Sequence, residues 1–187
     1  ERRKDKRKNI DFSSRSINLA LSHRGWKALN KVGLENKVKQ ISIPMYRRVM
    51  HSIDRKLTFQ PYGKKNQAIF SVPRGKLNTL LVNTAEKLKL VNFYFNKKCI
   101  DIDLGKSISK FEDTSTKSIL SVSSDHIIGA DGFYSKVRSV MQKTQRFNYQ
   151  QKFIDHGYKE IEIPPNADGT HKLELNTLHI WPRGNFM

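Results

Sequence analysis

The stretch that decides the fold is Gly129-Ala130-Asp131-Gly132-Phe133-Tyr134-Ser135-Lys136-Val137-Arg138. It follows a short apolar run over residues 126–128 and leads into a helix-like segment that ends near Met141. The pattern predicts a strand, a tight turn that the two glycines permit, and a helix that begins beyond the aspartate. Such a turn can present backbone N–H groups, a positive helix end and the cation of Arg138 to a pyrophosphate. An ordinary strand–helix connection would account for the same residues, so the turn alone leaves both interpretations open.

The balance of charge restricts the classes of partner. The chain has 187 residues, enough for one domain with a substantial core, and it carries 35 Lys and Arg against 17 Asp and Glu, a formal net charge of +18. Such an excess favours nucleic acid, an anionic membrane or phosphorylated ligands. The one dense basic cluster, within residues 2–8, contains no aromatic side chain on which a base could stack. We therefore interpret the charge mainly as a solvated surface with a preference for anionic cofactors, and nucleic-acid binding is the lesser alternative.

Several kinds of site and segment are not expected. The single cysteine, Cys99, allows neither a disulfide framework nor a thiolate metal site. The six histidines form no i,i+3 or i,i+4 pair of the kind that binds a metal on a helix, so no metal is predicted. No run approaches the roughly 18 apolar residues of a membrane span, and no signal peptide is visible. Because the chain lacks an initiator methionine and stops in a strand-like stretch, we expect it to be part of a longer protein.

Periodicity predicts an α/β arrangement followed by a β-rich part. A helix is expected between the N-cap candidate Ser22 and Gly33, and the clearest helix spans residues 74–88, with leucines on one face and Pro73 at its start. Alternating or apolar runs predict the strands, which are residues 15–21, 43–50, 57–59, 68–72, 91–95, 100–104, 119–122, 126–128, 160–163 and 178–181. Helices alternate with strands up to about residue 140 and strands dominate afterwards, which is typical of two differently built parts.

Seven short stretches, taken together, point to a known family. They are RSINLALSHRG at residues 15–25, IPM at 43–45, PYG at 61–63, FSVPR at 70–74, the turn at 129–138, HGY at 156–158 and HIWPR at 179–183. On these stretches the chain resembles the flavin-dependent aromatic hydroxylase family over nearly its full length, residues 105–117 excepted. Its first and last stretches resemble the kynurenine-hydroxylating members most.

The resemblance implies an α/β (α+β) fold in which part of a Rossmann-like FAD-binding domain joins a β-sheet-rich substrate domain. It assigns residues 1–40 and 71–145 to the FAD-binding domain. It assigns residues 41–70, and the start of the β-rich portion at 146–187, to the substrate domain. The family's glycine-rich loop and its later Gly-Asp motif are absent from this sequence. The chain therefore resembles the central segment of such an enzyme, which we expect to be inactive by itself.

Three charged residues match family positions that contact FAD. Glu1 matches an acid that accepts hydrogen bonds from ribose hydroxyls, with Arg3 beside it, although an exposed terminal residue would look the same. Arg74 matches an arginine that reaches the flavin. A cation at the start of a helix is slightly unfavourable, which favours an anionic ligand there, although an arginine in solvent is the alternative.

Three further residues match positions around the cofactor. Ala20 and Cys99 match residues that line the FAD site, although both residue types are commonly buried in an ordinary core. Asp131 matches the aspartate of the family's shared turn, which serves both FAD and the nicotinamide cofactor, and Arg138 lies nearby. These assignments follow from the resemblance alone.

Two residues match family positions that hold the substrate. Arg48 matches an arginine that pairs with the amino-acid carboxylate, and Tyr62 matches a neighbouring hydroxyl contact. A bidentate guanidinium–carboxylate pair would fix that end of the molecule and leave the aniline ring to face the flavin. Arg47 is adjacent to Arg48 in the sequence, and the spacing from Pro44-Met45 favours Arg48.

The activity implied by the resemblance is NADPH-dependent insertion of one oxygen atom from O2 into the ring of L-kynurenine, giving 3-hydroxykynurenine and water in tryptophan degradation. The flavin carries the chemistry, so no catalytic side chain is predicted, and His179 and Trp181 are expected to be core residues. The alternatives are a hydroxylase of another aromatic acid and a non-catalytic basic binding module. A homodimer of the full-length enzyme is left open, and neither nucleic acid nor membrane is expected at this segment. The composition, rich in lysine, isoleucine and asparagine, favours a bacterial-type cytoplasmic location, and a eukaryotic form with a C-terminal anchor would lie at the mitochondrial outer membrane.

Overall fold

The computed structural model describes residues 5, 7, 18–64, 67–159 and 161–187, which form a mixed α/β structure. Its helices are α1 (His23–Lys31), α2 (Glu35–Lys39), α3 (Arg74–Ala85) and α4 (Lys136–Met141). Its strands are β1 (Asn18–Leu21), β2 (Ile43–Met45), β3 (Arg47–His51), β4 (Leu57–Pro61), β5 (Ile69–Pro73), β6 (Lys97–Asp103), β7 (Ile108–Asp113), β8 (Ile119–Ser123) and β9 (Thr177–Ile180). The mixed fold class predicted from the sequence is confirmed.

The described strands form three sheets of three strands each. In the first sheet β5 lies between β1 and β2 and is antiparallel to both. In the second sheet β3 lies between β4, which is antiparallel to it, and β9, which is parallel to it. The third sheet is the antiparallel meander β6–β7–β8. The parallel pairing of β3 with β9 therefore joins two segments that are far apart in the sequence.

The chain divides into two compact units. One consists of Glu1–Ile10 and Leu88–Gly157, and the other of Asp11–Lys87 and Tyr158–Met187. The first contains the meander and α4, and the second contains the other two sheets with α1, α2 and α3. The division into FAD-binding and substrate domains that the resemblance implies stays a prediction.

A small apolar core lies in the unit that contains α1. Its buried members are Leu29, Leu34, Val38 and Val72. Trp26 and Phe70 pack beside these residues, with their rings edge to face and the ring centroids 4.9 Å apart. The apolar face of α3 contributes Leu77 and Leu80, which are partly buried against the same core. Gly33 follows α1 at a φ of +69°, as expected for a glycine that ends a helix.

An ion pair links β6 and β7, the first two strands of the meander. Lys97 Nζ lies 2.6 Å from Asp113 Oδ2. Asp113 also accepts backbone N–H bonds from Thr116 and Ser115 in the turn that follows β7. The hydrogen bond from Lys97, followed by those from the turn, holds the pKa of Asp113 well below its usual range. α4 packs against β6, the first strand of this sheet.

Three predicted strands are wrong. Residues 91–95, 126–128 and 161–163 are irregular. Apolar alternation shows only which faces a strand could bury, and a strand forms where a neighbour satisfies its backbone hydrogen bonds. β8 ends at Ser123, and residues 126–128 pair with no strand in the part of the chain that the structure describes. The long predicted helix is also shorter, since α3 ends at Ala85.

Candidate functional site

Arg48 and Tyr62 lie on one face of the second sheet. Successive residues of a strand point to opposite faces, so Arg48 faces away from Arg47 and Val49. The guanidinium carbon of Arg48 lies 5.5 Å from the centroid of the Tyr62 ring, a cation–π contact. Partial burial raises the pKa of Tyr62, and the nearby charge of Arg48 opposes that shift. The phenol is therefore neutral near pH 7 and available as a hydrogen-bond donor.

Arg47 has different surroundings from Arg48. Its Nη2 atom lies 2.5 Å from Glu174 Oε1, and its guanidinium lies over the Phe59 ring with 4.7 Å to the centroid. Within the described part of the chain, no carboxylate forms an ion pair with Arg48. The charge of Arg47 is thus already neutralised, whereas the exposed charge of Arg48 is available to an anionic ligand.

Ala20 and Arg74 belong to neighbouring elements of the first sheet and α3. Ala20 on β1 pairs with Ser71 on β5, three residues before Arg74 begins the helix. The N-cap residue Pro73 makes no side-chain cap, the first turn contains no acidic residue, and Arg74 is exposed. An exposed cation at a helix start is compatible with an anionic ligand. The assignment of Arg74 to FAD stays a prediction.

The turn at Gly129–Arg138 is held by hydrogen bonds within itself, and its predicted contact with the cofactors stays a prediction. Asp131 accepts hydrogen bonds from the Ser135 hydroxyl at 2.5 Å, from Lys136 N at 2.6 Å and from Val137 N at 3.2 Å. Ser135 Oγ in turn accepts from Arg138 N at 3.0 Å. The N–H groups that were expected to bind a pyrophosphate are therefore used inside the turn. Partial burial favours the neutral acid, but the bonds from Ser135, Val137 and Lys136 outweigh it and lower the pKa of Asp131.

The other parts of this turn are also engaged with each other. The Arg138 guanidinium donates to the carbonyl oxygens of Gly132 and Phe133, and it lies over the Tyr149 ring with 5.3 Å to the centroid. Gly132 has a φ of +78°, which favours glycine. A Cβ atom on Gly129 would lie 2.9 Å from the Cβ and Cγ1 atoms of Val137, so this glycine allows the turn to pack closely on α4.

Cys99 lies in the same unit as Asp131, partly buried on β6. Burial raises the pKa of its thiol, and the negative charge of Asp131 acts in the same direction. The side chain is therefore a neutral thiol, consistent with an apolar wall rather than a nucleophile. The other two predicted FAD contacts, Glu1 and Arg3, lie outside the described residues.

Among the described site residues, the structure brings Arg48 into contact with Tyr62, and the charge of Asp131 acts on Cys99. It shows no contact between the described residues Ala20 and Arg74, which lie in the same unit as Arg48 and Tyr62, whereas Cys99 and Asp131 lie in the other. Their assignments to substrate and cofactor stay predictions.

Sequence reasoning missed one pair of side chains. His51 Nε2 lies 3.0 Å from His179 Nδ1, and the His51 ring stacks on Trp181 with 4.4 Å between centroids. The two histidines are 128 residues apart. A search for helical spacing cannot detect them, because the contact depends on the parallel pairing of β3 and β9. Among the described residues, no group of three or more His, Cys, Asp and Glu could hold a metal ion.

Comparison with known proteins identifies the family. The family described as FAD binding domain matches residues 8–173, which is most of the chain. The chain belongs to this FAD-binding family. Its relatives include the kynurenine 3-monooxygenases of Christiangramia forsetii, 46% identical over 100% of this chain and 41% of that protein, and of Flavobacterium johnsoniae, 46% identical over 96% and 40%. The kynurenine 3-monooxygenase of Sus scrofa is 41% identical over 100% of this chain and 39% of its own length.

Solved structures share the fold. The flavin-dependent monooxygenase PieE, in complex with FAD and substrate, has a TM-score of 0.60 at 20% identity, over 68% of this chain and 25% of that one. A mutant of P. aeruginosa PqsL has a TM-score of 0.57 at 17% identity, over 82% and 40%. At such identities the similarity extends to the fold alone. The chain spans about two fifths of its curated relatives, which are covered to 41%, 40% and 39% of their length. In the described part of the chain, no helix combines the length and apolar character needed to span a membrane.

Proposed function

We propose that the full-length protein containing this chain is an FAD-dependent monooxygenase that converts L-kynurenine into 3-hydroxykynurenine, using NADPH and O2. Membership of the FAD-binding family and similarity to proteins named kynurenine 3-monooxygenase support the proposal. The observation that carries it is the exposed guanidinium of Arg48 over the Tyr62 ring, next to an arginine that Glu174 already neutralises.

Arg48 is proposed to hold the carboxylate of the amino-acid end of kynurenine. A guanidinium offers two parallel N–H groups that match the two oxygens of a carboxylate. Tyr62 would add a hydrogen bond from its neutral phenol, and its ring keeps the guanidinium in place. Because this contact lies at one end of the substrate, it would orient the aromatic ring without taking part in bond formation.

The same proposal includes the FAD contacts. The exposed cation of Arg74 would hold an anionic part of FAD, and Ala20 would line the site. Cys99 would contribute an apolar surface, and Asp131 would shape the turn that approaches the cofactor. When bound, FAD supplies the two-electron chemistry that activates O2 at the expense of NADPH.

A second candidate is a hydroxylase of another aromatic acid. The contact between Arg48 and a carboxylate recognises only the acid group, so it would bind other aromatic acids equally well. The identity of 41–46% to kynurenine 3-monooxygenases favours kynurenine.

The test is oxygen consumption by the purified full-length protein loaded with FAD. With NADPH and L-kynurenine we expect a yellow protein, substrate-dependent O2 uptake and a product heavier by one oxygen atom. Anthranilate and 4-hydroxybenzoate serve as matched acids, and faster hydroxylation of either would favour the second candidate. A colourless protein that consumes no O2 with any of them would overturn both. A homodimer and a cytoplasmic location belong to the same proposal, and sedimentation and cell fractionation test them.

A further inference from the structure

Side-chain contacts on one face of the second sheet stabilise the pairing of β3 with β9. Arg47 binds Glu174 before the pairing begins, and His51 binds His179 near its end. Arg48 lies between these two contacts along β3, on the opposite face, and its partner in the register is Leu178. The position of Arg48 therefore depends on contacts that it does not make itself.

Hydrogen bonding determines the tautomers of the two histidines. His179 Nε2 lies 3.0 Å from the backbone carbonyl oxygen of Glu174, which can only accept, so this nitrogen carries a proton. In the neutral ring His179 Nδ1 is then an acceptor. His51 must donate its Nε2–H to it across 3.0 Å. His51 on β3 therefore donates to His179 on β9, and His179 donates to the backbone carbonyl of Glu174, which precedes β9.

The pair is also held by packing. The His51 ring lies 4.4 Å from the Trp181 ring at an interplanar angle of 17°. Arg183 Nη1 donates to the backbone carbonyl of His51 at 2.9 Å and to that of Pro182 at 2.8 Å. The ring and the backbone carbonyl of His51 are therefore both held by the segment that follows β9.

We propose that His51 and His179 are positioning residues, whose hydrogen bond holds β3 in place against β9 and thereby sets the position of Arg48 relative to the substrate carboxylate. This inference rests on the proposed function, because it assigns Arg48 to the substrate. Loss of the hydrogen bond weakens substrate binding and leaves the chemistry of the bound complex unchanged.

Acid breaks this hydrogen bond when both rings are protonated, because two imidazolium rings have no acceptor between them. Partial burial, then the charges of His179 and Arg183, lower the pKa of His51. His51 therefore stays neutral to a lower pH than an ordinary histidine, and the link is lost as the pH falls through that lowered value. The charged and titratable groups around the pair are Arg47, His171, Lys172, Glu174 and Arg183. On this face β4 contributes Leu57 and Phe59, which do not titrate.

We expect the protonation of the His51–His179 pair to determine how the KM for kynurenine changes with pH. The substrate carboxylate titrates near about pH 3.5 and arginine above about pH 12, so their ion pair is constant between about pH 5.5 and 8. The full-length wild-type enzyme is expected to show a KM for kynurenine that stays constant at neutral pH and rises at the acid end of this range. The variant H51Q/H179N keeps a donor facing an acceptor but cannot titrate, so its KM should stay flat. The control H126Q changes an exposed histidine and should keep the wild-type rise.

A disruptive variant gives the size of the effect. His179→Leu removes the acceptor and should raise KM at about pH 7.5 roughly two- to tenfold, with kcat changed less than about twofold, as expected for one lost hydrogen bond. If this variant fails to fold, H51Q/H179N still decides the question. An acid rise of KM that persists in H51Q/H179N would overturn the proposal.

A readout without turnover separates this inference from the proposed function. Nitrogen-15 spectra of histidine-labelled full-length protein at about pH 8 should show both His51 and His179 protonated at Nε2. A neutral His179 ring that carries its proton at Nδ1 would contradict the proposed hydrogen bond. If the wild-type protein shows the expected tautomers but never hydroxylates kynurenine, the proposed function fails and the hydrogen-bonded link stands.

Discussion

Two adjacent arginines on β3 illustrate how a single residue step changes function. Arg47 lies against Glu174 and Phe59, whereas Arg48 lies over Tyr62 on the other face of the sheet. Both carry the same charge, and the difference comes from alternation along the strand. Within the described residues, only the second guanidinium has a charge that no carboxylate pairs with.

Replacement of these arginines should therefore have different effects. Arg48→Ala in the full-length enzyme is expected to raise KM for kynurenine roughly 10- to 100-fold, because a charge-assisted hydrogen bond contributes about 1.5–3 kcal/mol. FAD affinity should change little. The matched variant Arg47→Ala should raise KM less, through the loosened contact with Glu174. Steady-state kinetics and FAD titration check this, and an equal loss of kynurenine and FAD binding in Arg48→Ala would contradict the assignment.

Asp131 should act mainly as a cap of α4. Asp131→Ala removes the acceptor for the N–H groups of Lys136 and Val137 and should cost about 1 kcal/mol locally. We expect roughly fivefold faster hydrogen exchange of these two amides, measured by NMR or mass spectrometry. Asp125→Asn, at an exposed position before the turn, is the control and should leave their exchange unchanged.

The pH dependence of this cap follows from the lowered pKa of Asp131. A carboxylate whose pKa is lower in the folded state stabilises the fold above its ordinary value of about 4, and that stabilisation is lost as the pH falls through the folded value. Protection of the two amides should therefore decline only in acid. Protection of these two amides that stays constant as the pH falls below about 4 would contradict the role of Asp131 as a cap.

At the scale of elements, the glycines of the turn decide how closely it approaches α4. An added Cβ on Gly129 would lie 2.9 Å from two carbon atoms of Val137, and neither atom is the free end of a flexible side chain. Gly157 lies in the same unit, has no atom within 4 Å of its Cβ position, and does not have a left-handed φ.

These two glycines form a matched pair of substitutions. Gly129→Ala should lower the free energy of unfolding by about 1–3 kcal/mol, as overpacking does. Gly157→Ala should change it by less than about 0.5 kcal/mol. Urea unfolding of the full-length protein, followed by circular dichroism, measures both. Equal stability of the two variants would show that the contact with Val137 relaxes without cost.

At the scale of the whole molecule, the net charge of +18 is a long-range property. Positive potential attracts NADPH, which carries several negative charges, and salt screens this attraction. Kynurenine carries no net charge near neutral pH, so its binding depends on short-range contacts.

Salt should therefore separate the two substrates of the proposed function. Between about 50 and about 300 mM KCl, we expect KM for NADPH to rise several-fold and KM for kynurenine to change less than about twofold. Steady-state kinetics of the full-length enzyme measures both. Tight RNA binding with a steep dependence on salt, by a protein without a flavin chromophore, would instead support the basic binding module.

The sequence predicted the local elements well where a residue's own chemistry decides its conformation. The sequence predicted Gly33 after α1, Pro73 before α3 and the extended conformation of residues 47–50. The same reasoning failed for residues 91–95, 126–128 and 161–163, which have strand-like patterns and no strand structure. A pattern states which side of a segment is apolar, and it cannot state whether another segment lies beside it.

By itself, the sequence determined the mixed α/β class, the choice of candidate residues and the family to which they point. Only the tertiary structure decided that Arg47 is neutralised while Arg48 is free, that Asp131 and Ser135 use the N–H groups of α4, and that His51 meets His179. The physical reason is the separation along the sequence of the residues that interact. Helix ends, turns and alternation depend on neighbours within a few residues, whereas an ion pair or a hydrogen bond between residues more than 120 positions apart exists only after the strands have paired.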